Sequence, residues 1–130
     1  MAKQFTLGKE ERLKSRKQTE QVFSLGKRFT LAPFRINYIL APAEKSRLQF
    51  GVGVSSKHFK RAVDRNRVKR LIREAYRLQK KKLQDMLNEK NKSLTVFFIY
   101  TGKEIPLYQD VFNKMGNCLE KLCTIAEATI

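Results

Sequence analysis

Asn66, Arg70, Arg73 and Arg77 are spaced so that a helix would carry all four on one side, and these are side chains suited to gripping phosphate. A guanidinium group offers five donors in a planar fork that matches phosphate oxygens, and it stays charged at any relevant pH. At about 100° per residue counted from Val68, the four fall at about 160°, 200°, 140° and 180°. Val68, Leu71, Ile72, Ala75 and Tyr76 recur at i, i+3, i+4, i+7 and i+8 and fill the opposite arc, which is the pattern of an amphipathic helix. Lys69 and Lys80 flank the polar stripe, and Arg65 and Arg67 project to either side of its first turn. A solvated helix face is the bland alternative, but such faces intersperse Glu with Lys, and this stripe holds no acid. A membrane-surface helix is a third reading, disfavoured by an apolar face without Trp or Phe.

Chemistry of other kinds finds little support. His58 is the only histidine, and it sits in a basic loop without a recognisable Cys or carboxylate partner. Asp64 and Glu74 are isolated among arginines, where positioning a guanidinium is the simpler role than metal binding. Cys118 and Cys123 fall short of a disulfide framework or a zinc set, and reduced thiols in a cytoplasmic protein are expected. No Gly-rich nucleotide loop is present. Catalytic residues and a protein-bound metal or cofactor are therefore not expected.

The 130 residues carry 28 Lys+Arg against 12 Asp+Glu, a net charge of +16, and 42% are apolar. That length suits one domain, 1–130, and the apolar content argues against a disordered basic tail. No run of about 18 apolar residues suggests a membrane span, and the first residues lack the apolar stretch of a secretory signal. The charge is unevenly placed: residues 57–82 hold 12 basic and 2 acidic groups, whereas residues 83–130 hold 5 and 6. Such a concentration favours a polyanionic partner.

The elements that must hold the stripe follow from periodicity. Residues 1–14 read as an extended or mobile arm. Ser15-Arg16-Lys17-Gln18 fits a capping box, and Gly26 suits a left-handed helix end, which together predict a helix over 16–25 with Val22 and Phe23 as its apolar contacts. Residues 34–38 and 48–55 alternate as strands, the first bracketed by Pro33 and Pro42. Gly51 and Gly53 within the second mark close approach by something else, a helix or a nucleic-acid backbone. Residues 94–100 read as a central strand, 62–87 as the basic helix, and 108–125 as a final helix.

The run Ala62-Val63-Asp64-Arg65-Asn66-Arg67-Val68-Lys69-Arg70-Leu71-Ile72-Arg73-Glu74-Ala75-Tyr76 resembles the RNR signature of the bacterial ribonuclease P protein family. Gly51-Val52-Gly53-Val54-Ser55-Ser56-Lys57 resembles the strand end that precedes it. The resemblance implies an α/β (α+β sandwich) domain in the order α-β-β-β-α-β-α. A short first strand would lie near 27–30, and a left-handed β-α-β crossover in a mixed sheet would carry the basic helix. It implies a protein subunit of a ribonucleoprotein endonuclease that removes the 5′ leader of precursor tRNA. Catalysis would be carried by an RNA subunit with its own Mg²⁺. Arg65, Asn66, Arg67, Lys69, Arg70 and Arg73 match the motif and would bind that RNA. Arg77 joins them by helical phase, and Lys57, Lys60 and Arg61 join from the preceding loop.

Phe23 matches a cleft aromatic that would stack on a leader base, with a core role as its alternative. Thr19 and Asn37 stand where the family often has further aromatics, and Arg35 shares the expected cleft face, which makes this cleft more polar than usual. A ribosomal or other structural RNA-binding protein remains the alternative function.

Overall fold

The computed structural model describes Arg12, Leu13 and residues 16–128. Its elements are α1 (Arg16–Leu25), β1 (Lys27–Leu31), β2 (Phe34–Pro42), β3 (Leu48–Val54), α2 (Ala62–Gln79), α3 (Lys81–Lys90), β4 (Lys92–Tyr100) and α4 (Tyr108–Ala128). The four strands form one mixed sheet in the order β1-β2-β4-β3, with β3 and β4 parallel and the other pairs antiparallel. The β3–β4 connection carries α2 and α3, so the basic helix lies between two parallel neighbours.

Alternation decides which face of the sheet is covered by what. Phe34, Ile36 and Tyr38 of β2, Phe50 and Val52 of β3, and Leu94, Val96, Phe98 and Tyr100 of β4 are all buried. They meet Val68, Ile72, Ala75 and Tyr76 of α2, Leu83 and Leu87 of α3, and the apolar side of α4. Phe50 stacks flat on Tyr76, with ring centroids 3.9 Å apart and planes 9° apart, which sets how α2 sits on β3. Leu71, expected in the core, is only half-buried. Cys118 and Cys123 are unpaired and buried in α4; burial pushes the Cys118 thiol up to about 12.

Among the described residues, α1 and Leu13 cover the other face. Val22 is buried there, and Phe23 meets Phe97 of β4 edge to face at 5.2 Å. Phe97 explains the two glycines of β3. A Cβ on Gly51 would lie 2.6 Å from Phe97 Cδ2, and one on Gly53 would lie 3.0 Å from Cε1. The close neighbour within the fold is therefore a ring from the adjacent strand and not a helix. Gly51→Ala is expected to lower stability by about 1–3 kcal/mol through forced displacement of that ring. Urea unfolding measures it, and an unchanged midpoint would mean that the ring moves aside freely.

Several boundaries differ from expectation. The basic helix expected over 62–87 is interrupted at Lys80 and continues to Lys90. Lys80 is in phase with Tyr76, Leu83 and Leu87 and is buried, so a cation occupies a core-facing position where the run breaks. β2 extends through Pro42 instead of stopping at residue 38. Proline is tolerated at such a strand end because it gives up only a peripheral donor.

Gly26 has no left-handed backbone. It is needed because a Cβ would lie 2.4 Å from the Val22 carbonyl oxygen and 2.6 Å from that of Tyr38. The left-handed helix end belongs to Asn91, with φ 53°, whose N–H donates to the Asn88 and Leu87 carbonyls. Within the arm expected over 1–14, Arg12 pairs in parallel with Phe50, and the Leu13 N–H donates to the Phe50 carbonyl at 2.9 Å. These two residues are therefore tied to the outer edge of β3. The remainder of the arm and the expected cap at Ser15 lie outside the described residues.

Candidate nucleic-acid interface

Burial of Val68, Ile72, Ala75 and Tyr76 turns the opposite side of α2 outward. Asn66, Arg67, Arg70 and Arg73 are exposed, and Arg65, Lys69 and Arg77 are half-buried at its margins. Among the described residues no carboxylate pairs with Asn66, Arg67, Lys69, Arg70 or Arg73. Arg77 does have an acid partner: its guanidinium binds the Glu74 carboxylate through two hydrogen bonds. The stripe is thus without an acid partner from Asn66 to Arg73 and neutralised at Arg77. The Arg77 bond holds the Glu74 carboxyl below its usual pKa range.

The first turn is built by charge as well. Arg61 caps no backbone donor with its side chain. Instead, its Nε and Nη2 donate to the two Asp64 oxygens at 2.8 and 3.1 Å. This bond lowers the Asp64 pKa, and a carboxylate in the first turn also suits the helix dipole. Arg65 turns back from the helix: its Nη1 donates to the carbonyls of Phe59 at 2.7 Å and Lys60 at 2.9 Å. Phe59 is buried beside Tyr100, so the loop that presents exposed Lys57, His58, Lys60 and Arg61 is pinned from both sides. Arg65 therefore supports that loop, while Arg70 simply faces outward.

Phe23, Phe97 and the strand residues beneath them form a second surface on the opposite face of the sheet. Asn37, Phe97 and Gly51 lie in one row across β2, β4 and β3, and Arg35, Ile99 and Gly53 in the next. Phe23 is 44% exposed, so its ring packs on Phe97 with one side open to solvent. Thr19 lies one turn earlier on α1 and is half-buried. Arg35 is exposed, whereas Asn37 is only 3% exposed. Its Oδ1 has no hydrogen-bond partner among the described residues, a costly arrangement for a buried acceptor. Phe97 escaped the sequence reading because the run 94–100 is apolar on both faces; the signal that could have found it is the pair of glycines it lies against. The Phe23–Phe97 pair makes this face more aromatic than Thr19 and Asn37 alone suggest.

Among the described residues no three His, Cys, Asp or Glu side chains gather as a metal set, and no helix is long and apolar enough to cross a membrane.

The profile of the Ribonuclease P family matches residues 7–123. A ribonuclease P protein component from Porphyromonas gingivalis is 40% identical over 119 residues, spanning 91% of this chain and 87% of that protein. One from Geotalea uraniireducens is 41% identical over 125 residues, spanning 92% and 97%. The Staphylococcus aureus RNase P protein structure superposes with a TM-score of 0.60 at 21% identity, over 92% of this chain and 97% of that one. With a basic helix between parallel strands and relatives matching over nearly its whole length, this chain belongs to the ribonuclease P protein family, the protein component of a ribonucleoprotein endoribonuclease of tRNA processing.

Proposed function

We propose that α2 and its preceding loop bind the RNA subunit of ribonuclease P, and that the cleft beneath α1 takes the 5′ leader of precursor tRNA. The observation that carries this reading is the exposed stripe of Asn66, Arg67, Arg70 and Arg73, fixed on a packed helix and free of acids. Arginines one turn apart can meet successive phosphates with paired hydrogen bonds. Lys57, Lys60, Arg61 and Lys69 widen the positive field around them, and Arg65 sets the loop's shape. Arg77 contributes at the stripe's end, shared with Glu74.

The protein's work in this reading is electrostatic. The RNA subunit and precursor tRNA are both polyanions, and a cation-rich domain with +16 net charge placed between them lowers their repulsion. Phosphodiester hydrolysis belongs to the RNA subunit and the Mg²⁺ it binds, with no protein side chain in contact with the reacting atoms. The gain is therefore in substrate affinity and in reduced demand for Mg²⁺. Its site of action is the cytoplasm, a reducing compartment compatible with the unpaired Cys118 and Cys123. Cleavage of precursor tRNA by a bacterial ribonuclease P RNA at low Mg²⁺, with and without the protein, tests the reading. Strong stimulation is expected; none would favour a structural RNA-binding role.

Leader binding makes a separate demand. Phe23 presents a half-open ring against Phe97, and stacking of a base on such a ring is worth about 1–3 kcal/mol. Arg35 would meet the leader's backbone, with Thr19 on the α1 wall and Asn37 on the cleft floor beside the rings. Phe23→Ala is expected to weaken holoenzyme binding of leader-bearing tRNA roughly tenfold while leaving mature tRNA nearly unchanged. Equal losses for both substrates would assign Phe23 to packing.

A further inference from the structure

Arg12 is absent from the RNR motif, yet the fold brings it to the edge of the same surface. Its backbone pairs in parallel with Phe50 of β3, and the following Leu13 N–H donates to the Phe50 carbonyl at 2.9 Å. Leu13 is buried against Gly51 on the α1 face of the sheet. Side chains alternate along an extended segment, so Arg12 is directed to the other face, where α2 lies. There the Phe50 ring stacks on Tyr76, and Arg73 stands three residues before Tyr76, one turn along α2. Arg12 and Arg73 are both exposed, and neither has a carboxylate partner among the described residues. Burial first, and the Arg12 charge second, hold the Arg73 pKa below its ordinary value.

Two guanidinium groups held near one another by separate elements repel in the free protein. A phosphodiester removes that repulsion, because its two non-bridging oxygens can each accept from one fork. We infer that Arg12 and Arg73 form a two-guanidinium clamp for one phosphate of the RNA subunit, extending the α2 stripe across the outer edge of β3. The inference rests on the reading of α2 as the RNA-binding surface. It assigns the phosphate to the RNA subunit and not to the leader, since Arg12 is directed away from the Phe23–Phe97 cleft.

The test measures binding of the full-length protein to ribonuclease P RNA across a salt series, for Arg12→Ala, Arg73→Ala, the double variant, Arg12→Lys and Arg70→Ala. Arg12→Ala should bind roughly 5–20-fold more weakly, with the salt slope reduced by about one. The double variant should lose much less than the product of the single losses, because one phosphate is shared. Arg12→Lys should recover part of the affinity, as it keeps the charge without the fork. Thermal melting verifies that each variant folds, and Arg12→Lys leaves the Leu13 contact untouched if Arg12→Ala loosens the segment.

Wild-type affinity in Arg12→Ala, or fully multiplicative losses in the double variant, would overturn the clamp. A loss confined to leader-bearing substrate, with RNA-subunit affinity unchanged, would overturn the assignment to that subunit. Arg70→Ala separates the two levels of the argument. If it binds weakly while Arg12→Ala binds normally, only the clamp fails; if it also binds normally, the reading of α2 fails with it.

Discussion

Replacing Asn66, Arg70 and Arg73 together by Ala is expected to weaken binding of ribonuclease P RNA by about 10²–10³-fold and to flatten its salt dependence. Each side chain is exposed on α2 without an acid partner, so its removal disturbs no internal contact with a carboxylate. A hydrogen bond involving a charged group contributes roughly 1.5–3 kcal/mol when fully formed, and solvent and salt reduce that at an open surface. About 1–1.5 kcal/mol per side chain gives the stated range. Loss of two cations should lower the slope of log affinity against log salt by about two. Filter binding between 50 and 200 mM salt reads both quantities, and circular dichroism checks that α2 persists. A triple variant with native affinity and slope would make this surface a solvated face.

Arg65→Ala is a poorer probe, although it lies at the centre of the motif. Its guanidinium holds the Phe59 and Lys60 carbonyls, so its loss would also free the loop bearing Lys57 and Lys60. Weaker RNA binding in that variant mixes a missing cation with a misplaced loop. Arg70 has no such internal duty and reports on phosphate contact alone.

Tyr76→Ala should produce the largest loss of stability, roughly 3–5 kcal/mol. Tyr76 is fully buried on α2 and stacks on Phe50 at 3.9 Å, and Phe50 in turn packs against Phe98 at 5.3 Å. Removing the ring opens a void where helix, β3 and the centre of the sheet meet. With typical folding stabilities of about 5–15 kcal/mol, the variant would be close to unfolding, with a melting temperature lowered by roughly 10–20 °C. Differential scanning calorimetry checks this. A shift of only a few degrees would mean that α2 settles onto β3 and closes the gap, in which case the register of the stripe should shift with it. Tyr76→Phe preserves the stack and should lie within about 1.5 kcal/mol of the parent.

The stripe was legible in the sequence because a helix has one period. Once Val68, Ile72, Ala75 and Tyr76 must be buried, Asn66, Arg70 and Arg73 must face outward, whatever the helix packs against. The starts of β3 and α4 were legible for a similar local reason. Gly26 marked the end of α1 for a cause other than the expected one: it accommodates the Tyr38 carbonyl from β2, a contact far away in the chain. The break at Lys80 was hidden because apolar spacing continues through it, from Tyr76 to Leu83 and Leu87.

What the sequence determined by itself is thus the chemistry of the first surface: its charge, the side chains that carry it, and through the RNR run the family. The second surface was decided by tertiary structure. Strand pairing placed Phe97 in the row between Asn37 and Gly51, and α1 crossing that face brought Phe23 to it. Tertiary structure also tied Arg12 and Leu13 to the outer edge of β3. Spacing along the chain dictates which side chains share a helix face. No local period reports which residues become neighbours across a sheet, because that depends on strand order and register.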